Sequence, residues 1–119
     1  MANYFGWTNS TDNVKDTDWT INGFTFRFEL GTGTTPTKYY STGGGALRIY
    51  KGNTFTISAG GKTITKIVIG VNGATYKFIA GDCSQATMTY DETFTSTAIF
   101  DFGSGVTTAN FTNSSTTAS

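Results

Sequence analysis

Residues 43–58 read GGGALRIYKGNTFTIS, and the pattern of this stretch decides the fold. Apolar and polar residues alternate on both sides of residues 51–53, and an alternation of period two is typical of a β-strand with one buried face. Gly52 and Asn53 tolerate the positive φ angles that tight turns require. The stretch therefore predicts a β-hairpin. Its inward positions are Leu47 and Ile49 on the first arm and Phe55 and Ile57 on the second.

The same alternation recurs upstream and downstream of this hairpin. INGFTFRFEL at residues 21–30 predicts a half-buried strand, and KYY at residues 38–40 predicts a short one. Phe24, Phe26, Phe28 and Leu30 share the inward face of the longer strand. In TITKIVIGV the phase slips between Ile64 and Ile67, which indicates a β-bulge near Lys66 or a strand buried on both faces.

Further short strands are predicted towards the C-terminus, and no window shows helical periodicity. They are TYKFIA with Tyr76 and Phe78 inward, TMTY, TAIFDF and ANFT, separated by turns such as AGGK and VNGA. About eight or nine short strands at this spacing predict an all-β fold, a single antiparallel β-sandwich of the jelly-roll or Ig-like kind. We divide the chain into an N-terminal arm or first strand (1–19), a sandwich domain (20–112) and a polar C-terminal tail (113–119).

Composition excludes several classes of function. The 119 residues suffice for one domain. Eight basic residues balance eight acidic ones, so we expect no binding to nucleic acid and no attraction to an anionic membrane. No apolar run is long enough to insert into a membrane. The chain lacks histidine, which removes histidine-based catalysis and metal binding. The single cysteine, Cys83, has no basic neighbour to activate it and is expected to be buried.

Two segments resemble a β-sandwich module of gut-bacterial surface and secreted proteins, which their phages could also carry. They are GGGALRIYKGNTFTISAGGKTITKIVIG and the upstream NGFTFRFELGTGTTPTKYY, which together span residues 20–71. The resemblance implies a non-catalytic extracellular sandwich with no site to transfer. The last strand of that module has no counterpart after Asn113. We therefore expect an open sheet edge that a neighbouring chain fills, with residues 1–8 as the donor strand.

Three acidic residues form the one candidate metal site in the sequence. Asp12, Asp16 and Asp18 lie close together and could offer oxygen ligands to Ca²⁺. Their spacing matches no calcium loop, and Lys15 lies among them, so a solvated loop is the competing interpretation. We predict no bound cofactor and no catalytic residues, because no nucleophile lies beside a base and no phosphate-binding loop is present.

Aromatic side chains are the better candidates for a contact surface. Five of them fall in loops or on the outward phase of strands, and Trp19, just before the first strong strand, is expected to be core. Aromatic faces pack against protein neighbours and against the apolar faces of sugar rings. The predicted interface or glycan contacts are Trp7, Tyr39, Tyr40 and Tyr50.

Two functions follow from these observations, neither of them enzymatic. The first is a structural or display subunit of a phage virion or extracellular assembly, acting through protein contacts and strand donation in a homo- or hetero-oligomer. The alternative is a carbohydrate-binding or adhesion module of a larger bacterial surface protein. MANYFGWTNS lacks the basic and apolar regions of a secretory signal, so we expect no signal peptide in this chain and a virion or cell-surface location.

Overall fold

The computed structural model describes residues 2–10, 14–41, 45–71, 78–93 and 96–115, and within them the chain forms nine β-strands. The strands are β1 (Asp18–Ile21), β2 (Phe24–Glu29), β3 (Lys38–Tyr40), β4 (Ala46–Arg48), β5 (Thr54–Ser58), β6 (Ile64–Gly70), β7 (Thr87–Tyr90), β8 (Thr97–Val106) and β9 (Thr108–Thr112). All pairings between them are antiparallel. Short helical segments are α1 (Ala2–Phe5) and a 3₁₀ turn (Ala80–Asp82). The all-β, antiparallel prediction is confirmed.

The strands form three sheets. A four-stranded sheet has the order β1-β2-β5-β9, a three-stranded sheet has the order β6-β8-β7, and β3 pairs with β4 alone. The two larger sheets contribute buried side chains to one apolar cluster. This arrangement is consistent with the predicted β-sandwich, while the choice between jelly-roll and Ig-like connectivity stays a prediction.

Aromatic rings fill the centre of the core. Phe55 and Phe111, direct partners on β5 and β9, stack with 4.5 Å between their ring centroids. Phe100 of β8 meets Phe111 edge-on at 5.0 Å, and this contact joins the two larger sheets. Stacked and edge-on pairs both suit the ring quadrupole, so each adds to the free energy gained by burying the rings.

β2 confirms the strand predicted within residues 21–30, with a narrower buried face. Phe28 is 3% exposed and Phe26 packs against the core, whereas Phe24 and Leu30 keep 41% and 38% of their surface exposed. Phe24 begins the strand and Leu30 follows its last residue. Side chains at strand ends have fewer neighbours to cover them than those at the centre.

The predicted hairpin within residues 43–58 is wrong, although both arms are strands. β4 pairs with β3, and β5 lies in another sheet between β2 and β9. The turn itself forms, since the Asn53 N–H donates to the Tyr50 carbonyl (2.9 Å) and Gly52 has a φ of 81°. The chain therefore turns from one sheet into another. Leu47 and Ile49 still pack against the core, and Phe55 and Ile57 are buried.

β6 resolves the phase slip seen in its sequence. Its register against β8 shifts between Ile64 and Lys66, which confirms the predicted bulge. The alternative, burial on both faces, is wrong because Val68 keeps 57% of its surface exposed. The bulge brings Ile64 and Ile67 to the same side of the sheet despite their odd spacing.

Residues 75–80 are only partly described. The Asn72–Gly73 turn and Tyr76 lie outside the described residues, as do two of the glycines at 43–45. Phe78 packs edge-on against Phe100 with 5.3 Å between centroids, as expected for an inward residue, although it belongs to no strand.

The N-terminal segment packs into its own domain. α1 is helical, and Trp7 is only 8% exposed. The Trp7 ring lies within 5.3–6.2 Å of four other rings, centroid to centroid. These rings belong to Phe5, Trp19, Phe28 and Tyr39. Strand donation by this segment is therefore wrong, because extending it towards a neighbour would expose Trp7 to water.

The outer edge of β9 is also occupied. The Gln85 side chain accepts a hydrogen bond from the Asn110 N–H (2.7 Å) and donates one to the Thr108 carbonyl (3.0 Å). A side-chain amide thus makes the two bonds that another strand would make at this edge, which opposes edge-to-edge pairing.

Gln85→Ala uncovers those two backbone groups, so we expect greater self-association with a small loss of stability. Sedimentation velocity over a range of protein concentrations measures this, with Ser84→Ala as the control because Ser84 is an exposed neighbour. Equal association of the two variants would show that the Gln85 amide does not protect the edge.

Candidate ligand-binding groove

The side-chain amide of Asn53 is fully buried and joins the loop after β2 to the turn before β5. Its Oδ1 accepts from the Thr37 hydroxyl (3.2 Å) and the Tyr50 N–H (2.9 Å). Its Nδ2 donates to the carbonyls of Leu30 (3.1 Å) and Thr35 (2.8 Å). Both donors and both acceptor positions of the amide are used, so the buried polar group is compensated.

The backbone around Asn53 is bound to the segment that follows β9. Asn113 donates its N–H to the Asn53 carbonyl and accepts from the Gly52 N–H, each at 2.9 Å. The Asn113 side chain donates to the Ile49 carbonyl at 2.7 Å. Residue 113 belongs to the predicted polar tail. In the structure its backbone continues the pairing of β9 with β5 by one residue, to Asn53.

The loop after β2 crosses the turn before β5 at very close range. A Cβ atom on Gly52 would lie 2.6 Å from the Gly33 nitrogen, and a Cβ on Gly33 would collide with the Lys51 carbonyl. Glycine at both positions lets the two backbones touch. Thr32 donates its N–H to the Gly52 carbonyl (3.2 Å), which holds the crossing together.

The buried carboxylate of Asp82 binds the segment that follows β9 at Ser114. Asp82 is 7% exposed, and its Oδ1 accepts from both the N–H and the hydroxyl of Ser114. Its Oδ2 accepts from the Ile79 N–H at 3.0 Å. Asp82 therefore ties the residues after β9 to the 3₁₀ turn before β7.

Together these contacts frame an open groove of about 420 Å³ lined by residues 32–35, 50–52 and 112–115. The lining residues are mainly threonine and serine, with one tyrosine and Lys51. Most of their backbone N–H groups are used in hydrogen bonds within the chain, so side chains are the groups available to a ligand. No carboxylate or thiol belongs to this lining. Such a surface can bind a polar ligand through hydrogen bonds and one aromatic contact.

Tyr50 connects the groove to a second aromatic side chain. The phenol oxygens of Tyr40 and Tyr50 lie 2.9 Å apart, and the Arg48 guanidinium carbon lies 4.6 Å from the centre of the Tyr40 ring. The hydrogen bond with Tyr50, ahead of the nearby charges of Arg48 and Lys38, lowers the pKa of Tyr40. Burial, followed by the hydrogen bond to Tyr40, raises the pKa of Tyr50.

The predicted contact residues divide into two groups. Tyr40 and Tyr50 lie together at the groove, half-buried. Tyr39 packs against the core, as does Trp19, and Trp7 is buried in it. The prediction that Trp7 is an exposed contact is therefore wrong, because its indole fills the space between Phe28 and Tyr39.

The predicted calcium site is not assembled in the described part of the chain. Asp12 lies outside the described residues. Asp16 and Asp18 are exposed, and Asp18 forms an ion pair with Arg27 at 3.1 Å. Among the described residues, no group of three or more acidic or cysteine side chains could hold a metal ion. In the same part of the chain, no helix has the length and apolarity to cross a membrane.

Sequence reasoning missed the residues that frame the groove. The sequence predicted a turn at Asn53 because asparagine tolerates the left-handed backbone conformation. It placed Asn113 and Ser114 in a tail because residues 113–119 are small and mostly polar. A buried asparagine bonded to distant carbonyls has the same local sequence as an exposed turn asparagine. The one signal in the sequence was that Asn53 comes directly before an alternating strand, where a side chain can be covered by neighbouring segments.

Comparison of the chain with protein-family models, curated protein sequences and solved structures finds no match. The resemblance to the gut-bacterial sandwich module therefore stays a prediction.

Asn53→Ala leaves two carbonyls, one hydroxyl and one N–H without their partner, so we expect it to lower the free energy of unfolding by about 3 kcal/mol. Asn110→Ala is the matched control, since Asn110 is exposed on β9. Urea denaturation measures both. Similar losses in the two variants would contradict the role assigned to the buried amide.

Cys83 is a free, buried cysteine, as predicted, and burial raises the pKa of its thiol. An acid whose pKa is raised by folding contributes stability that is complete below its unfolded pKa, about 8.5 for cysteine, and is lost as the pH rises towards the folded value. Burial also raises the pKa of Tyr90, as it does that of Tyr50, so further loss begins near about pH 10.

We expect Cys83→Ala to remove the earlier part of that alkaline loss of stability. Urea denaturation between about pH 7.5 and pH 9.5 should show a shallower decline for the variant than for the wild type. Parallel declines would show that the thiol does not ionise differently in the folded and unfolded states.

Proposed function

We propose that the chain is a non-enzymatic binding module that recognises carbohydrate in the groove formed by residues 32–35, 50–52 and 112–115, as part of a surface or adhesion protein. The observation that carries this proposal is a framed, open groove whose lining combines threonine and serine residues with Tyr50. Sugars present hydroxyls and CH-rich faces, and these are the two kinds of group that such a lining can contact.

The groove is preorganised for binding, because contacts within the chain hold its walls in place. The Asn53 amide and the Asn113 backbone hold the three lining segments in fixed relative positions. The Tyr50 hydroxyl is tied to Tyr40, which limits rotation of the Tyr50 ring. Less conformational entropy is then lost on binding, which favours affinity.

A binding role rather than hydrolysis fits the groove chemistry. Glycoside hydrolysis in most enzymes uses two carboxyl groups on either side of the scissile bond. The lining contains neither aspartate nor glutamate. Asp82 contacts Ser114 from behind the lining and has both oxygens occupied by hydrogen bonds.

A glycan array followed by isothermal titration calorimetry tests this proposal. We expect Tyr50→Ala to weaken binding of a retained glycan by at least about tenfold, equivalent to about 1.4 kcal/mol. Tyr50→Phe separates the ring from its hydroxyl. Tyr4→Ala is the control, because Tyr4 is 68% exposed and is not part of the groove lining. Absence of any retained glycan, or an equal effect of the Tyr4 and Tyr50 variants, would overturn the proposal.

A second candidate function is a structural or display subunit of a virion or extracellular assembly. The observation that favours it is the apolar side chain of Val68, 57% exposed and directly opposite Ile99 on the outer face of the three-stranded sheet. Exposed apolar patches are common at protein interfaces. Contacts of this kind would not need the N-terminal segment to leave its own core.

Light scattering behind a sizing column tests the assembly candidate. An oligomer that dissociates in Val68→Thr, with the wild-type fold retained, would support it. A monomer of 12.7 kDa at high protein concentration would exclude self-assembly.

A further inference from the structure

Basic residues are concentrated in the middle of the chain, although its net charge is zero. The sequence between Glu29 and Asp82 contains no aspartate or glutamate. The basic residues of that interval are Lys38, Arg48, Lys51, Lys62, Lys66 and Lys77. Acidic residues lie only in the two flanking parts of the sequence, so the balance of charge is global and not local.

Three of these basic residues lie around the two tyrosines of the groove. Lys38 and Arg48 are direct cross-strand partners on β3 and β4, and Lys51 belongs to the groove lining. Like charges directly opposite each other in a sheet are destabilising. A bound anion between or beside them would reduce this repulsion.

The Arg48 guanidinium is held beside both tyrosines. Its carbon lies over the Tyr40 ring, 4.6 Å from the ring centre, and the side chain also hydrogen-bonds Tyr50. A guanidinium has five N–H donors, so others remain for the oxygens of a carboxylate or sulfate. In the described part of the chain, the ion pairs that form belong to Arg27, with Asp18 and Glu29, and none involves Arg48 or Lys51.

The basic side chains adjoin the groove through the two tyrosines. Arg48 lies over the Tyr40 ring, and the Tyr40 hydroxyl contacts the Tyr50 hydroxyl. Tyr50 and Lys51 both belong to the groove lining. The charges of Arg48 and Lys38 also help to lower the pKa of Tyr40, after the hydrogen bond with Tyr50. Lys51 therefore belongs to the groove itself, and Arg48 adjoins the groove through Tyr40 and Tyr50.

We propose that the ligand of the groove is an anionic glycan, whose carboxylate or sulfate groups bind Arg48 and Lys51 while a sugar ring packs on Tyr50. This inference rests on the proposed carbohydrate-binding function and specifies its substrate class. The sugar supplies the hydroxyls that match the threonine and serine lining. Its charged substituents supply the anionic partners that the described residues do not provide for Arg48 and Lys51.

Matched polysaccharide pairs test the charge preference directly. Polygalacturonate and its methyl ester differ only in free carboxylate, and dextran sulfate and dextran differ only in sulfate. Calorimetry at low and at physiological salt should give at least about tenfold tighter binding to one charged member than to its neutral partner. The pair that shows the preference identifies carboxylate or sulfate as the recognised group.

Charge-removing variants locate the binding site. We expect Arg48→Gln and Lys51→Gln each to weaken binding of the charged glycan about fivefold or more, and to weaken binding of the neutral partner by a smaller factor. Lys62→Gln is the matched control, because it removes the same charge from the exposed turn at residues 59–62. It should leave binding unchanged. Thermal unfolding of each variant confirms that the fold is retained.

Two results would overturn the inference. One is equal affinity for the charged and neutral members of both pairs. The other is an equal loss in Lys62→Gln and Arg48→Gln, which would show a general effect of net charge. If neutral glycans bind and Tyr50→Ala abolishes that binding, the proposed function stands without the charge preference. If neither charged nor neutral glycans bind, both proposals are wrong.

Discussion

The buried side-chain amide of Asn53 makes four hydrogen bonds in a space closed to water, and the loop after β2 meets the turn before β5 because of it. Two of its partners are carbonyls of the loop after β2, and another is the turn before β5. A buried amide that lost these partners would cost more free energy than the bonds contribute. The positions of the loop and the turn are therefore strongly coupled.

This coupling also explains how the three sheets share one core. The turn at residues 50–53 takes the chain from the two-stranded sheet into the four-stranded sheet, so neither sheet continues the other. Phe55, two residues after Asn53, enters the aromatic cluster that contacts β8 through Phe111 and Phe100. Polar contacts set the position of the turn, and burial of aromatic surface supplies most of the favourable free energy.

The groove is a consequence of the same frame. Its walls are the segments that Asn53 and Asn113 connect, and glycine at positions 33 and 52 lets two of these segments touch. Tyr50 belongs both to the turn and to the lining, so stability and recognition depend on one segment. Phe5, Trp7 and Trp19 take no part in this surface, because they pack in the core beside β1 and β2.

The sequence alone determined most of the strands, the bulge between Ile64 and Lys66, and the burial of Cys83, because alternation and side-chain chemistry act over a few residues. It could not determine which strands pair. An alternating pattern specifies the faces of a strand but not its neighbours, and the turn at residues 51–53 looked like a hairpin for that reason. Only the tertiary structure buried Trp7, bound Asn113 to Asn53, and brought Arg48, Tyr40 and Tyr50 beside the groove. Each of these depends on contacts between residues far apart in the sequence, whose energies no local pattern contains.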